Sequence, residues 1–433
     1  MLKRKCILLL CILLAVFPVV LLAQGKQEES NQKTTIRFSW WGGESRHQKT
    51  LEAIDVYMEN NPHVIIEAEY SGFSGYYQKL VTQLVAGTAP DVFQSDQGWT
   101  TEFHLRGDVF EDLSAHPAIS TSRFNQQLLK DYCLVDNQLA VLPLGFNGTV
   151  FVYNKTLLSP YLQGKDMNQL TWQEFIELGQ RLHKDNPDAY LTTNITDAYV
   201  RFILKAIMEQ TSNAISIQDD YTLGFSKQEM TDAFTLFREL FASGAAQPYA
   251  ESAIYKDNLQ DNPKWRNGLI GGSFIFFSNI DRETAGLPYE FDVARIPQLA
   301  GARTSGQETG PSLMLAMNKA SRNKDESARF IDWFLNSPEA AAILATERGV
   351  PANEDSLNVL KDKEMLSPLM EKAVDISNAT MGFKNGALEM NASIHAIFVE
   401  KMEKVIYDRT TPAEAADELI RDVTKRLDEM KQE

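Results

Sequence analysis

Five side chains in the first hundred residues carry recognition chemistry. Trp40 and Trp41 close an alternating run, Glu44 follows across Gly42-Gly43, and Asp96 and Trp99 lie just past a second apolar run. A flat aromatic ring covers the apolar face of a ligand, and a carboxylate accepts hydrogen bonds from its hydroxyls. That is chemistry of holding rather than of bond breaking. Three of the five also have a packing reading. Trp40 shares the strand face of Ile36 and Phe38, Asp96 is placed to cap a helix starting at Gln97, and Trp99 is one helical turn further in. The six histidines, at 47, 63, 104, 116, 183 and 395, make no i,i+3 or i,i+4 pair, so no zinc site is expected. There is no G-x-S-x-G, P-loop or G-x-G-x-x-G. No catalytic residue, metal or cofactor is expected.

The elements that must position these residues are legible from periodicity. Residues 35–40 alternate as a strand, Trp41-Gly42-Gly43-Glu44 is a turn, a helix runs from about Arg46 to Glu59, and a strand over 64–70 follows Asn61-Pro62. In the stretch 74–96, Tyr76/Tyr77, Leu80/Val81 and Leu84/Val85 form a helical stripe. Ser74 is its expected N-cap, Gly87 its left-handed stop, and Pro90 forbids continuation. Asp91-Val92-Phe93 then reads as a strand with a polar tip from Gln94 to Gln97. Strand and helix in alternation predict a doubly wound α/β sheet, where ligands bind beyond the carboxyl ends of the strands.

The pattern Y-x-x-K-L…A-G-T-A-P-D-V, from Tyr76 to Val92, resembles the hallmark of the bacterial extracellular solute-binding proteins of family 1, the sugar-binding components of ABC importers. Further segments resemble the family in order: LPLGFNGTVFVYNKTLL as the first passage between lobes, WRNGLIGGSFIFFSNI as a lobe-two strand, Pro297 after the next strand, ETGPSLMLAM as the return, and Arg348-Gly349-Val350-Pro351 as the last crossover. The resemblance implies a two-lobed periplasmic binding protein fold, each lobe a mixed sheet flanked by helices, with the ligand cleft at the hinge. Lobe one is expected over 34–146 and 309–351, and lobe two over 147–308 and 352–433. The hinges are expected near Gly145/Gly148, Glu308/Ser312 and Gly349/Pro351, with glycine supplying backbone freedom. Capping boxes at Thr171–Glu174, Ser226–Glu229 and Thr411–Glu414 start lobe-two helices, and Ser337-Pro338 starts another in lobe one.

What the resemblance implies about the site is a carbohydrate, a di- or oligosaccharide, held between the lobes. Trp41, Glu44 and Asp96 face it from lobe one. Asn147 lies in the hinge, Tyr199 at the position of a stacking aromatic in maltose-binding relatives, Phe277 and Ser278 at the end of a lobe-two strand, and Gly310 and Ser312 at the return crossover. Trp40, Trp99 and Arg46 are further candidates. Arg46, after Trp41-Gly42-Gly43, either pairs a ligand carboxylate or is a solvated residue of the first helical turn. A uronate or glycerol-3-phosphate in the same role is the alternative ligand. The enzyme rival is a secreted glycoside hydrolase, which needs two carboxylates about 5–10 Å apart across one sugar. The implied partners are the transmembrane permease subunits with a cytoplasmic ATPase, and a monomer is expected.

Composition and the amino terminus agree with this. Lys3, Arg4 and Lys5 precede an apolar run from Cys6 to Leu22 and a small-x-small site at Ala23-Gln24-Gly25, which reads as a cleavable signal peptide over 1–25, followed by a polar leader over 26–33. Neither Cys6 nor Cys11 resembles a lipobox, so the periplasm is the expected location. Cys133 then stands alone, a small core residue rather than half of a disulfide. The net charge of −16 argues against nucleic acid or an anionic membrane as partner.

Overall fold

The computed structural model describes residues 33–432, apart from 195–197, 219, 256–258, 385, 387 and 390. The signal-peptide segment and all but the last residue of the leader lie outside the described residues. Among those described, no helix is long and apolar enough to cross a membrane.

The chain opens with β1 (Thr34–Trp41), which pairs in parallel with β2 (Val64–Ser71) and β3 (Val92–Ser95). The helix Glu44–Asn60 between β1 and β2 buries Thr50, Ala53, Ile54 and Tyr57, one face at helical spacing. The helix Phe73–Val85 starts one residue before the expected cap. Gly72 is its N-cap and supplies no side-chain bond, so Ser74 lies inside the first turn. Its end follows the expectation: Gly87 has φ +67, its N–H bonds to Leu84, and the N–H of Thr88 reaches Gln83, the paired bonds of a Schellman stop. Asp91 then accepts from the Arg37 backbone N–H at 2.9 Å and from the Ser321 hydroxyl. The acidic residue of the A-G-T-A-P-D-V pattern therefore ties strands together and does not face a ligand.

After the helices Gln97–Arg106 and Gln126–Tyr132 comes a hairpin, β4 (Leu134–Val135) and β5 (Gln138–Leu139), turned by Asp136 and Asn137 at positive φ. The first passage between lobes, LPLGFNGTVFVYNKTLL, runs along one long strand, β6 (Val141–Asn154), and into the helix after it. Two sheets share β6. Its first half pairs antiparallel with β10 (Thr309–Met317), and its second half with β8 (Ile270–Phe276) and β9 (Phe291–Ala294); β7 (Tyr190–Thr192) lies parallel to β8. The overall strand order is β2-β1-β3-β10-β6-β8-β7, with β9 beside β6.

Apolar burial falls into two cores, the first of which also takes Val150, Val152, Ile275 and Val293 from the second sheet. Phe38, Trp40, Phe93 and Phe330 are buried in the first core, and Phe151, Trp172, Phe175, Phe237 and Phe274 in the second. Cys133 is buried and unpaired, and burial pushes its thiol well above the ordinary range. All three capping boxes form, and Ser337 caps the helix Pro338–Leu344. The helix Glu354–Asp362 packs on Pro338–Leu344, while Pro368–Ala379 packs on β6 and β9.

The glycines at the passages are set by close approach. Neither Gly145 nor Gly148 has positive φ. A Cβ on Gly145 would lie 2.5 Å from the Arg348 carbonyl oxygen, and one on Gly148 would lie 2.6 Å from the Ser377 hydroxyl. Gly349 does need its freedom, at φ +94.

Candidate functional site between the two sheets

A cavity of about 700 Å³ opens where β3, β6 and β10 end or change partners. One wall comes from the loop and helix after β3 and from the hairpin region. There Asp96 follows the last residue of β3 and caps Gln97–Arg106, its Oδ1 accepting from the Gly98 N–H at 2.9 Å. Both readings of Asp96 thus coexist, since it caps the helix and lines the cavity. Burial pushes its carboxyl above the usual range, and the Gly98 bond opposes this only in part. Thr100, Asp131, Tyr132 and Val135 complete this wall. The Tyr132 hydroxyl donates to the Thr309 carbonyl at 2.9 Å, and a Cβ on Gly310 would come within 3.3 Å of it.

The opposite wall holds Asn147, Arg201, Tyr221, Phe276 and Lys384. The Asn147 amide donates to the Ser278 hydroxyl at 2.7 Å and accepts from the Ser278 and Gly148 N–H groups, so β6 and the end of β8 hold it from both sides. Arg201 lies on a turn of π-helix, Tyr199–Leu204. Its guanidinium pairs with Glu308 and sits 5.5 Å from the Phe276 ring centre and 5.7 Å from that of Phe202. Glu308, Gly310 and Ser312, at the return into β10, form the floor. Ser312 donates to the Arg348 carbonyl and so ties two passages together.

Of the expected site residues, the structure brings Asp96, Asn147, Gly310 and Ser312 together around this cavity. Ser278 is exposed but acts on the wall only by holding Asn147. The others are elsewhere. Trp41 is 6% exposed, in a ring cluster with Trp99 at 4.8 Å, Tyr76 at 5.1 Å and Phe73 at 5.9 Å, and Trp99 is the half-buried centre of that cluster. Trp40 is in the core, its indole N–H on His47 at 3.1 Å. Glu44 is exposed and accepts from Gln48. Arg46 donates to the Trp41 and Glu347 carbonyls, pinning the helix start to the last crossover away from the cavity wall. Tyr199 has no exposed surface and packs on Phe241, Tyr249 and Phe237. Phe277 is equally buried, 5.4 Å from Phe146.

Two of these displacements are short. Arg201, two residues after Tyr199, points to the other side of its turn, and Phe276 points opposite to Phe277 at the end of β8. The aromatic and charged groups of the far wall were therefore one or two positions from those that sequence motifs singled out. Tyr132, Tyr221, Asp131 and Lys384 carried no signal in the sequence, because only folding brings their segments to the cleft.

The model of the bacterial extracellular solute-binding proteins matches residues 43–341 of this chain. The chain belongs to this family. This solute-binding protein has the two-lobed fold. A probable amino-acid ABC transporter periplasmic-binding protein of Sinorhizobium fredii is 21% identical over 386 residues, 82% of this chain and 81% of its own length. The solved structure of a periplasmic oligogalacturonide binding protein from Yersinia enterocolitica superposes with a TM-score of 0.81 at 23% identity, covering 92% of this chain and 99% of that one. A chain described as a de novo designed cysteine esterase gives a TM-score of 0.85 at 23% identity, covering 92% of this chain and 99% of that one. At such identities the structural likeness establishes the fold alone.

Proposed function

We propose that this solute-binding protein captures a di- or oligosaccharide in the cavity between its lobes and hands it to the membrane permease, whose cytoplasmic ATPase drives import. The observation that carries this reading is the cavity itself. It is far larger than one amino acid fills and lies within the roughly 300–1,000 Å³ of sites that enclose larger ligands. Its walls offer the Phe276 ring beside carboxylates and amides, which suits sugar faces and sugar hydroxyls. The Yersinia protein's ligand, an oligogalacturonide, is likewise an oligosaccharide, one built of uronate units.

In this reading lobe one is the β2-β1-β3-β10 side with the start of β6, and lobe two is the β7-β8-β9 side with its end. The helix Glu354–Asp362 moves with lobe one, because it packs there. The protein works as a monomer, is exported to the periplasm by the segment 1–25, and makes or breaks no bond in its ligand. An anionic ligand, a uronate or glycerol-3-phosphate, is the second reading, and Lys384 in the wall favours it.

A thermal-shift screen against neutral oligosaccharides, uronates, glycerol-3-phosphate and amino acids tests the reading. A ligand at a hundredfold excess over Kd adds about 2.7 kcal/mol to stability. A raised midpoint with one oligosaccharide, and no reducing ends released over time, is the expected result. A shift with amino acids alone removes the carbohydrate reading.

A further inference from the structure

Arg201 is the guanidinium in the cavity wall, and an open guanidinium reads carboxylate or phosphate through two parallel hydrogen bonds. Here a carboxylate already engages one N–H of that group. Glu308, buried in the floor of the cavity, accepts from Arg201, and the guanidinium lies over Phe276 and Phe202. Behind the pair, Lys205 offers no surplus positive charge. It is held by Glu389 at 3.0 Å and Glu209 at 3.6 Å. Burial alone would lower the Lys205 ammonium, but these carboxylates outweigh it and keep it charged. Two cations, Arg201 and Lys205, thus meet Glu308, Glu209 and Glu389; burial pushes the Glu209 carboxyl well above the usual range, so Glu308 and Glu389 carry the negative charge that balances them. The other charged residues lining the cavity are Asp96, Asp131 and Lys384, two carboxylates and one cation.

We propose that Glu308 sets the ligand class: by holding Arg201 and keeping a carboxylate in the cavity, it directs the cleft to uncharged saccharides and rejects uronates and phosphorylated polyols. The inference rests on the carbohydrate reading and narrows it. A neutral sugar donates hydroxyls to Glu308 and accepts from Arg201 without disturbing the pair. An anionic group must either pull Arg201 away, leaving Glu308 buried without its partner, or enter beside a like charge. Specificity is then built by an unfavourable element against the wrong ligand as much as by contacts to the right one.

The test is calorimetric titration of the intact chain and of Glu308→Gln with neutral di- to tetrasaccharides, with di- and trigalacturonate, and with glycerol-3-phosphate. The wild type is expected to prefer a neutral saccharide by about tenfold or more, a difference of 1.4 kcal/mol. Glu308→Gln frees the guanidinium and is expected to shift that ratio toward galacturonate by about tenfold or more. An unchanged ratio in a folded variant that still binds saccharide overturns the role of Glu308 and leaves the carbohydrate reading standing. Should the variant not fold, the wild type alone decides: preference for galacturonate or glycerol phosphate overturns the inference. Binding of neither neutral nor acidic saccharide removes the carbohydrate reading, and the inference with it.

Discussion

Phe276 and Phe277 are chemically identical neighbours, yet one ring faces the cavity and the other fills the core. The difference separates their expected phenotypes. Phe276→Ala removes a stacking face, so saccharide affinity should fall about three- to tenfold, the equivalent of roughly 0.5–1.5 kcal/mol. The unfolding midpoint without ligand should change little. Phe277→Ala empties a fully buried site and should lower folding stability by about 3–5 kcal/mol. Titration and urea unfolding of both variants check this, and equal effects of the two on affinity would contradict the placement. The same residues show how far sequence reaches at this scale. The end of a lobe-two strand was legible as a site segment from WRNGLIGGSFIFFSNI, but which of two adjacent rings points outward depends on where β8 stops and the chain turns. Tyr199 is the parallel case. Its segment belongs to the site, but the π-helical turn buries the tyrosine and presents Arg201 instead.

At the scale of elements, alternation and caps were strong signals because each reports on a local constraint. The Schellman stop at Gly87, the three capping boxes and the Ser337-Pro338 start all formed where residue type required them. At the expected passages between lobes the glycines have a different physical cause. Gly145 and Gly148 sit inside one continuous strand, and their hydrogen side chains admit the Arg348 carbonyl and the Ser377 hydroxyl. That contact is long-range in sequence, which is why composition suggested backbone freedom. Gly145→Ala should therefore destabilise the protein by about 1–3 kcal/mol through overpacking between β6 and the last crossover. A urea midpoint equal to that of the wild type would show that the crossover yields at no cost.

For the whole molecule, the organising feature is that β6 belongs to both sheets and that the passages at β6, at the start of β10 and near Gly349 lie against one another. A ligand between the lobes touches residues carried by both sheets, so its binding energy can shift an open–closed equilibrium. It does so only to the extent that it favours one state. Small-angle X-ray scattering with and without the oligosaccharide that raises the thermal midpoint measures this directly. A smaller radius of gyration is expected with ligand, and in Phe276→Ala the same change is expected only at a much higher saccharide concentration. A saccharide that stabilises the protein while leaving the scattering curve unchanged would contradict capture between closing lobes.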